Sequence, residues 1–293
     1  MADVLRGFEV TIRHFSAPGS KVILPTPAYM PFFDVPAQAG RDLVTVAMPR
    51  DSRGRYRLDL DAIAHAFRHE GGGLLVLCNP WNPVGTVLTR TELEELADVV
   101  EECGGRVFSD EIHAPITFGA ARHVPYASVN ATAAGHSVTA LSASKAWNLP
   151  GLKTAQLLLT NDADRDVWER EVGSLAKHGA SNLGVIANTV AFETGAPWLA
   201  DVLAYLDGNR TLLAELLAEH LPEIGYRPPD GTYLAWLDCQ RLGLGDTTRK
   251  RCLEQGVALT DGALCGVPGN VRLNFATPRP ILVEVVERMA KIR

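Results

Sequence analysis

The sequence lacks the features that would place it in several large classes of protein. Its 293 residues contain no uninterrupted apolar stretch long enough to cross a bilayer, and its first residues, MADVLRGFEVTIRHF, carry charges where a signal peptide would be apolar. It also has no block of basic residues, and its formal net charge is −6, which argues against a nucleic-acid-binding surface. We therefore expect a soluble, cytoplasmic protein that binds neither nucleic acid nor membrane.

Cysteine is scarce, and its spacing suits neither a metal site nor a disulfide framework. The five cysteines form no C-x-x-C pair, and their number is odd. Buried thiols in a reducing compartment are the simplest interpretation. The sequence does contain enough apolar residues for a hydrophobic core. Hydrophobic residues make up 46% of the chain and charged residues 21%, which is typical of a globular protein of one large or two ordinary domains.

The first two thirds of the chain alternate β-rich runs with helical patterns. Six runs predict strands, and several are apolar on both faces, as in a sheet covered by helices on each side: 21–26, 42–48, 73–80, 105–111, 136–144 and 155–160. A helix between the third and fourth runs begins at a capping box formed by Thr89 and Glu92 and ends at Gly104. This alternation predicts an α/β fold with a mostly parallel sheet between helices.

The pattern changes near Pro197. The following runs predict a long amphipathic helix, two strands around a Pro-Asp-Gly turn, a helix, a strand and a closing helix, over 198–221, 226–238, 247–256, 270–277 and 279–292. This order indicates a smaller α+β domain. We therefore predict a large domain over residues 1–197 and a small C-terminal domain over residues 198–293, with the long helix linking them.

Polar side chains follow three successive strand candidates at their carboxyl ends. The first strand is followed by two asparagines, the second by two acids and a histidine, and the third by two serines and a lysine: Asn79, Asn82, Asp110, Glu111, His113, Ser142, Ser144 and Lys145. Taken singly, each has an ordinary structural use, such as turn formation or helix capping. Because ligands bind beyond the carboxyl ends of strands in open α/β sheets, we expect an amide, a carboxylate and an amine to converge.

This set of groups fits the chemistry of pyridoxal phosphate (PLP). A PLP site needs a lysine for covalent attachment, an acid facing the pyridinium nitrogen, and donors for the phosphate. The carboxylate keeps the ring nitrogen protonated, so the ring can accept the electrons released when a bond to the substrate Cα breaks. The lysine, once released, serves as the base for proton transfer.

Five motifs, in this order, resemble those of fold-type I PLP enzymes of the class I/II aminotransferase family: TPAY, NPWNPVG, SDEIH, SASKAWNLPG and VRLNFATP. They are most similar to the cystathionine β-lyase, or cysteine-S-conjugate β-lyase, branch, and the likeness runs along the whole chain. The resemblance implies a PLP-dependent transferase-like large domain with a smaller α+β domain. It also implies a homodimeric C–S β-lyase that converts a sulfur amino acid into pyruvate, ammonia and a thiol.

The resemblance assigns roles in the PLP site to individual residues. It implies that Lys145 forms the covalent link to the cofactor and that Asp110 is the partner of the pyridinium nitrogen. Asn82 is implied to hydrogen-bond the 3-oxygen of the ring, and Tyr29 in TPAY to stack on the ring face.

Further residues are implied to bind the phosphate or the substrate. Ser142 would hold the phosphate, and Arg272 would clamp the substrate carboxylate with its planar fork of donors. His113 stands where many relatives carry a tyrosine that touches the ring oxygen. Lys153 stands where many carry an arginine for the phosphate, so it can supply positive charge but not a bidentate contact.

Members of this family carry a substantial segment before the point at which this chain begins. That segment contributes part of the small domain, a glycine-containing phosphate loop, and a residue that reaches the cofactor of the partner subunit. We therefore expect an N-terminally truncated member whose phosphate-binding elements are incomplete.

Four alternatives remain open on the sequence. Transamination begins with the same removal of the Cα proton and uses the same lysine. The S-A-S-K run at 142–145 matches the S-x-x-K of acyl-enzyme serine hydrolases, although S-D-N is missing and the KTA at 153–155 only resembles K-T-G. A metal site at Asp110 and Glu111 is weakly supported, because neighbouring residues on a strand point to opposite faces, and we expect no metal. The last alternative is a non-catalytic, regulatory homologue.

Overall fold

The computed structural model describes residues 1–292, which contain eleven α-helices, ten strands and several short 3-10 helices. The helices are α1 Val4–His14, α2 Pro31–Gln38, α3 Leu60–His69, α4 Arg90–Glu102, α5 Ala131–His136, α6 Asp162–Glu171, α7 Ser174–Lys177, α8 Asn182–Thr194, α9 Ala196–His220, α10 Thr248–Glu254 and α11 Arg279–Met289. The strands are β1 Lys21–Thr26, β2 Leu43–Ala47, β3 Gly72–Cys78, β4 Arg106–Asp110, β5 Ser137–Leu141, β6 Gln156–Leu159, β7 Gly225–Tyr226, β8 Leu234–Asp238, β9 Thr260–Asp261 and β10 Asn270–Asn274.

The larger sheet has six strands in the order β2-β1-β3-β4-β5-β6. Its pairs are parallel except for β6, which runs antiparallel to β5. All six predicted runs form strands of this sheet, and the prediction of a mostly parallel sheet is confirmed. β5 ends at Leu141, three residues before the end of its predicted run. Ser142 and Lys145 therefore lie in the loop that follows the strand.

Burial on both faces explains why the central strands are nearly continuous apolar runs. In β3, four successive residues, Leu74 to Leu77, are at most 1% exposed. Helices cover the sheet, and α4 begins at the predicted capping box, in which Thr89 and Glu92 each bond the other's backbone N–H. The sheet and its helices share one hydrophobic cluster, so the positions of the strand ends are fixed by packing.

The smaller sheet is antiparallel, in the order β7-β8-β10-β9, and α9 and α11 pack in the hydrophobic cluster beside it. The predicted two strands around a Pro-Asp-Gly turn are a two-residue β7 and β8, joined by residues 227–233. This second cluster also includes Ile116, Phe118 and Ala146, which precede residue 197. The division into domains near residue 197, one residue after the start of α9, stays a prediction. Within residues 1–292, no helix is both long and apolar enough to span a membrane.

Candidate active site

The carboxyl ends of β1, β3, β4 and β5 open on one cavity of about 190 Å³. The strands are adjacent, and their register places Cys78 beside Asp110 and Asp110 beside Ala140. As a result, seven of the eight predicted site residues line this cavity: Tyr29, Asn82, Asp110, His113, Ser142, Lys145 and Lys153. The eighth, Arg272, reaches it through a hydrogen bond to Asn82.

Asp110 and Lys145 both line this cavity, and burial shifts the pKa of each towards the neutral form. Asp110 is 5% exposed, and its Oδ1 accepts a hydrogen bond from the Ile112 N–H at 3.0 Å. Burial raises the pKa of Asp110 to about 7, against the opposing effects of that hydrogen bond and of Lys145. Burial also lowers the pKa of Lys145, an effect that Asp110 opposes and Arg272 reinforces. Both charged forms therefore lack full solvation in the site as it stands.

His113 contributes a buried ring nitrogen that no described residue satisfies. The side chain is buried, and its Nδ1 has no hydrogen-bond partner within residues 1–292. Burial, with Lys145 and Arg272 nearby, lowers the pKa of His113 to about 3, so the ring is neutral at physiological pH. Its edge meets the Tyr233 ring, with the centroids 5.7 Å apart. A buried ring nitrogen left without a partner at a cavity is suited to a ligand.

Asn82 is oriented by a residue far away in the sequence. Nη1 of Arg272 donates to Asn82 Oδ1 at 2.8 Å, and Nη2 of Arg272 donates to Thr260 Oγ1 at 3.2 Å. Because the amide oxygen of Asn82 is occupied, its NH₂ group is the part available to the cavity. The loop that carries Asn82 ends at Gly85, whose φ of +70° and contact with Pro229 leave no room for a Cβ.

Ser142 and Lys153 line the cavity but are engaged with protein groups. The Ser142 hydroxyl donates to the Thr154 carbonyl at 2.6 Å and accepts from the Ser144 N–H at 3.1 Å. Lys153 is exposed, has a φ of 51°, and pairs with Asp3 at 3.4 Å. The hydroxyl hydrogen of Ser142 points to a carbonyl rather than to Lys145, which is not the arrangement of an activated serine nucleophile.

Tyr29 reaches the cavity from the loop after β1. Its ring meets Phe32 edge-on, with centroids 5.8 Å apart, and the backbone of the preceding residue is tied down by a hydrogen bond from the Ala28 N–H to the Cys265 carbonyl. Burial raises the pKa of Tyr29, so the phenol stays protonated. The ring is thus held in place by packing at the cavity wall.

Tyr233 is a site residue that sequence reasoning missed. It contacts the His113 ring, and burial raises its pKa, with Arg272 acting in the opposite direction. It follows Thr232, which is fully buried with a φ of 68°, a conformation that is strained for a β-branched residue. Tyr233 lies in the run GTYLAWLD at 231–238, and nothing local in that run predicts a contact with a residue that lies 120 positions earlier.

Glu111 lies on the opposite face of the strand end from Asp110. Its carboxylate accepts hydrogen bonds from the Ser109 hydroxyl at 3.0 Å and the Tyr126 N–H at 2.9 Å, and it pairs with His123 Nε2 at 2.9 Å. Sequence reasoning assigned no role to His123. The described residues hold no group of three or more potential metal ligands.

Comparisons with known proteins show which family this chain belongs to. The model of a family described as aminotransferase class I and II matches residues 7–289. A Mycobacterium tuberculosis protein, provisionally described as a cystathionine beta-lyase, is 42% identical over 318 residues. The cystathionine beta-lyase of Corynebacterium glutamicum is 37% identical over 294 residues. Both alignments cover 99% of this chain and 76% of the relative.

A solved structure shows the same likeness in three dimensions. A Corynebacterium diphtheriae protein, provisionally described as a PLP-dependent beta-cystathionase, superimposes with a TM-score of 0.93 and 37% identity. The match covers 99% of this chain and 76% of that one. The predicted fold class and the resemblance in sequence motifs are therefore confirmed.

Proposed function

Because the chain belongs to the class I and II aminotransferase family, we propose that it is a PLP-dependent C–S β-lyase. Its substrates are cystathionine and other cysteine S-conjugates, from which it forms pyruvate, ammonia and a thiol. The observation that carries the proposal is the meeting of the Lys145 amine and the buried Asp110 carboxyl in one cavity, in a chain whose relatives are named cystathionine beta-lyases.

The residues present in the cavity fit PLP. They offer an amine for covalent attachment, a buried carboxyl, an amide NH₂ and a histidine nitrogen without a partner among the described residues: Lys145, Asp110, Asn82 and His113. When bound, PLP supplies a ring that accepts the electron pair released as a bond to the substrate Cα breaks. Everything else in the reaction depends on how the protein's own groups bind, orient and move protons.

Lys145 removes the proton from the substrate Cα. Its lowered pKa gives a larger unprotonated fraction at neutral pH than a solvent-exposed lysine has. After the proton has moved to Nζ, the C–S bond breaks, and the electron pair leaves on sulfur. The same amine then carries the proton that the departing thiolate needs. Asp110 provides a negative charge for the ring nitrogen, and a positive partner there favours its ionised form against the effect of burial.

Three side chains position the substrate and the ring oxygen. Arg272 binds the substrate carboxylate with guanidinium N–H groups beyond those used on Asn82 and Thr260. Asn82 would donate its NH₂ to the ring oxygen, because Arg272 occupies the amide oxygen. His113, held neutral by burial, would use its unpaired Nδ1 to contact the same oxygen.

Three further side chains hold the rest of the cofactor. Tyr29, held by its packing on Phe32, would stack on the ring. Ser142, whose hydroxyl donates to the Thr154 carbonyl, and Lys153, which pairs with Asp3 at the surface, would bind the phosphate by exchanging these contacts. An exposed ion pair is weak, so this exchange requires little free energy.

The chain is also proposed to act as a cytoplasmic homodimer. Apolar side chains on α8 are exposed, among them Leu183 at 70% and Ile186 at 62%. Contact with a second subunit removes this apolar surface from water, which favours a dimer. The cysteines are free, which supports a reducing compartment. Light scattering after size exclusion tests the dimer, and a monomer at micromolar concentration contradicts it.

The reaction is tested by incubating the PLP-loaded full chain with L-cystathionine and assaying pyruvate and free thiol. We expect both products in equal amounts, and neither from the Lys145→Ala variant. Amino transfer that depends on an added keto acid, without release of pyruvate, would show a transaminase instead. Covalent labelling of Ser142 by a β-lactam would point to an acyl-enzyme hydrolase.

A further inference from the structure

A second cavity, also of about 190 Å³, is rich in arginine and shares no lining residue with the candidate active site. It lies between the turn at residues 50–56, the loop at residues 84–86 and the face of the smaller sheet formed by β7, β8 and β10. The described residues that line it include four arginines and one acid: Arg50, Arg53, Arg55, Arg227 and Asp238. In a chain with a net charge of −6, this is a local concentration of positive charge.

Three of these arginines lie on a turn whose backbone is held by its own hydrogen bonds. The Asp51 N–H donates to the Arg55 carbonyl at 2.9 Å, and Asp51 Oδ1 accepts from the backbone N–H groups of Arg53 and Arg55. Gly54 has a φ of 75°, which a residue with a side chain rarely adopts. The run RDSRGRYR separates its arginines by other residues, and the turn then brings three of them to one cavity.

The guanidinium groups keep N–H donors that a ligand can use. Arg53 is exposed, and its side chain makes no hydrogen bond or ion pair with another residue of 1–292. Arg50 donates with Nη1 to Asp238 at 3.0 Å, and Arg227 donates with Nη2 to Asp230 at 2.8 Å. Because a guanidinium has donors on three nitrogens, each of these arginines has further N–H groups for an anion.

The acids near the cavity, in contrast, already have donors. Asp238 is paired with Arg50. Glu92 and Asp230 both pair with Arg55, and neither lines the cavity. An added anion is therefore the partner that the lining lacks, because the carboxylates are compensated by the protein and the arginines are not fully used.

The wall formed by the smaller sheet is aromatic and polar. Trp236 and Asp238 lie two residues apart on β8, and Asn270 is opposite Asp238 in the register, so the three side chains share one face. Trp236 Nε1 donates to the Tyr56 hydroxyl at 3.3 Å, which connects this face to the arginine turn. Asn270 is 3% exposed, and its Oδ1 has no hydrogen-bond partner among the described residues. Such a wall suits the organic part of a ligand.

We propose that this cavity is a second binding site, and that its ligand is a small organic phosphate. Arg50 and Arg53 come from the turn and Arg227 from the segment after β7, so an anion with oxygens in several directions fits better than a flat carboxylate. The phosphate binds to these three guanidiniums, and the organic part lies against Tyr56 and Trp236. A cavity of about 150 Å³ accommodates benzene, so the volume here is sufficient for one small ring.

The proposal is tested by titration calorimetry of PLP-loaded protein from which excess PLP has been dialysed, so that the catalytic cavity is already filled. We expect phenyl phosphate to bind saturably at one site per chain. Phenylmalonate carries a ring and two carboxylates, and it should bind at least about tenfold more weakly. Methyl phosphate, which lacks the ring, should also bind more weakly than phenyl phosphate, because only the ring contacts the aromatic wall.

Arg53→Glu tests the cationic side of the cavity. We expect it to weaken phenyl phosphate binding more than about tenfold, because it removes a charged donor and adds a repelling charge. The matched control is Arg251→Glu on α10, which makes the same change of charge at an exposed arginine outside the lining and should alter the affinity less than about twofold. Urea unfolding should show the same stability for Arg53→Glu as for the wild type, since the side chain has no contact within the described residues to lose.

Each alternative outcome contradicts a stated part of the proposal. Absence of saturable binding at millimolar phenyl phosphate overturns the site. Equal weakening by Arg53→Glu and Arg251→Glu also overturns it, because the ligand would then be attracted by the charge of the whole protein. Equal affinities for phenyl phosphate and phenylmalonate overturn the assignment to phosphate, and equal affinities for phenyl phosphate and methyl phosphate overturn the contact with the aromatic wall. None of these measurements depends on the lyase activity.

Discussion

Asp110 and Glu111 are neighbours in sequence and both are buried, but they lie on opposite faces of the sheet edge. On the cavity face (Asp110, His113 and Lys145) polar groups remain partly unsatisfied, and their pKa values shift towards the neutral forms. On the rear face (Ser109, Glu111, His123 and Tyr126) the Glu111 carboxylate accepts hydrogen bonds from the Ser109 hydroxyl and the Tyr126 N–H and pairs with His123. The cavity face therefore has hydrogen-bonding groups left for a ligand, whereas the hydrogen bonds of the rear face are made within the protein and stabilise the fold.

Removal of the cavity-face amine should produce the largest effect. Lys145→Ala deletes the group that moves the Cα proton, and we expect kcat for pyruvate release to fall by about 10³ to 10⁴-fold. The same change also removes a buried group whose charged form is poorly solvated. The free energy of unfolding of the PLP-free protein, measured in urea, should therefore stay the same or rise. A clear loss of stability would show that Lys145 supports the fold.

Breaking the rear face should give the opposite result. Glu111→Ala leaves the Ser109 hydroxyl, His123 and the Tyr126 N–H without their common acceptor in the interior. We expect the free energy of unfolding to fall by about 3–5 kcal/mol, because one member of a buried, hydrogen-bonded cluster is removed.

The control for Glu111 is Glu95→Ala on the exposed face of α4, which should change stability by less than about 0.5 kcal/mol. Urea unfolding of the two variants side by side is the measurement. If Glu111→Ala behaves like Glu95→Ala, the rear face does not stabilise the fold, and the contrast between the two faces is lost.

Asp110→Asn tests the cavity face through the pH dependence of stability. In the folded state the pKa of Asp110 is about 7, whereas an unfolded aspartate titrates near 3.9. The folded PLP-free protein therefore retains a proton that the unfolded chain loses, so stability declines as pH rises from about 4 to about 7. Asn removes this decline. Above pH 7 the variant should be more stable than the wild type by roughly 2–4 kcal/mol, although it should have lost activity.

The control for Asp110 is the exposed Asp166→Asn, whose stability difference from the wild type should remain small at every pH. Thermal unfolding between pH 4 and pH 9 measures both. A stability difference for Asp110→Asn that does not grow with pH would mean that the carboxyl is already compensated in the PLP-free protein.

The sequence alone predicted the strands and several residues of the cavity face. Strand positions followed from apolar runs, and the convergence of Asn82, Asp110 and Lys145 followed from the rule that ligands bind at the carboxyl ends of parallel strands. These inferences use only local periodicity and the order of elements. The register of β3, β4 and β5 then delivered the three groups to one cavity, as expected.

The sequence alone did not predict which side chains contact these residues. Arg272 orients Asn82 across 190 positions, and Tyr233, which immediately precedes β8 of the smaller sheet, contacts His113, which follows β4 of the larger one. Such contacts depend on how the two sheets pack, which no local pattern encodes. The pairing of Glu111 with His123 is closer in sequence, but it depends on the path of an irregular loop. Sequence patterns therefore located the cavity, whereas the side chains that tune it required the fold.

Glu92 is a carboxylate that does not line the cavity and whose hydrogen bonds are satisfied. Arg55 donates to both of its oxygens, at 2.6 and 2.8 Å, and the Thr89 N–H donates to Oε2 at 2.9 Å. These contacts lower its pKa to about 2 against the effect of burial, whereas an unfolded glutamate titrates near 4.3. Its contribution to stability is therefore present above pH 4.3 and lost as pH falls towards 2, the reverse of the behaviour expected for Asp110.

Glu92→Gln should accordingly reduce the free energy of unfolding by about 1–2 kcal/mol at pH 6, and the difference from the wild type should vanish as the pH approaches 2. Glu94→Gln, on the same helix, is the matched control, because its pairing with Arg90 spans 3.8 Å between largely exposed side chains and should contribute less than about 0.5 kcal/mol. Urea unfolding at pH 6 and pH 3 compares them. If the stability difference between Glu92→Gln and the wild type is as large at pH 3 as at pH 6, the shape of the Glu92 side chain rather than its charge stabilises the start of the helix. The stability contributions of Glu92 and Asp110 would then not depend on pH in opposite directions.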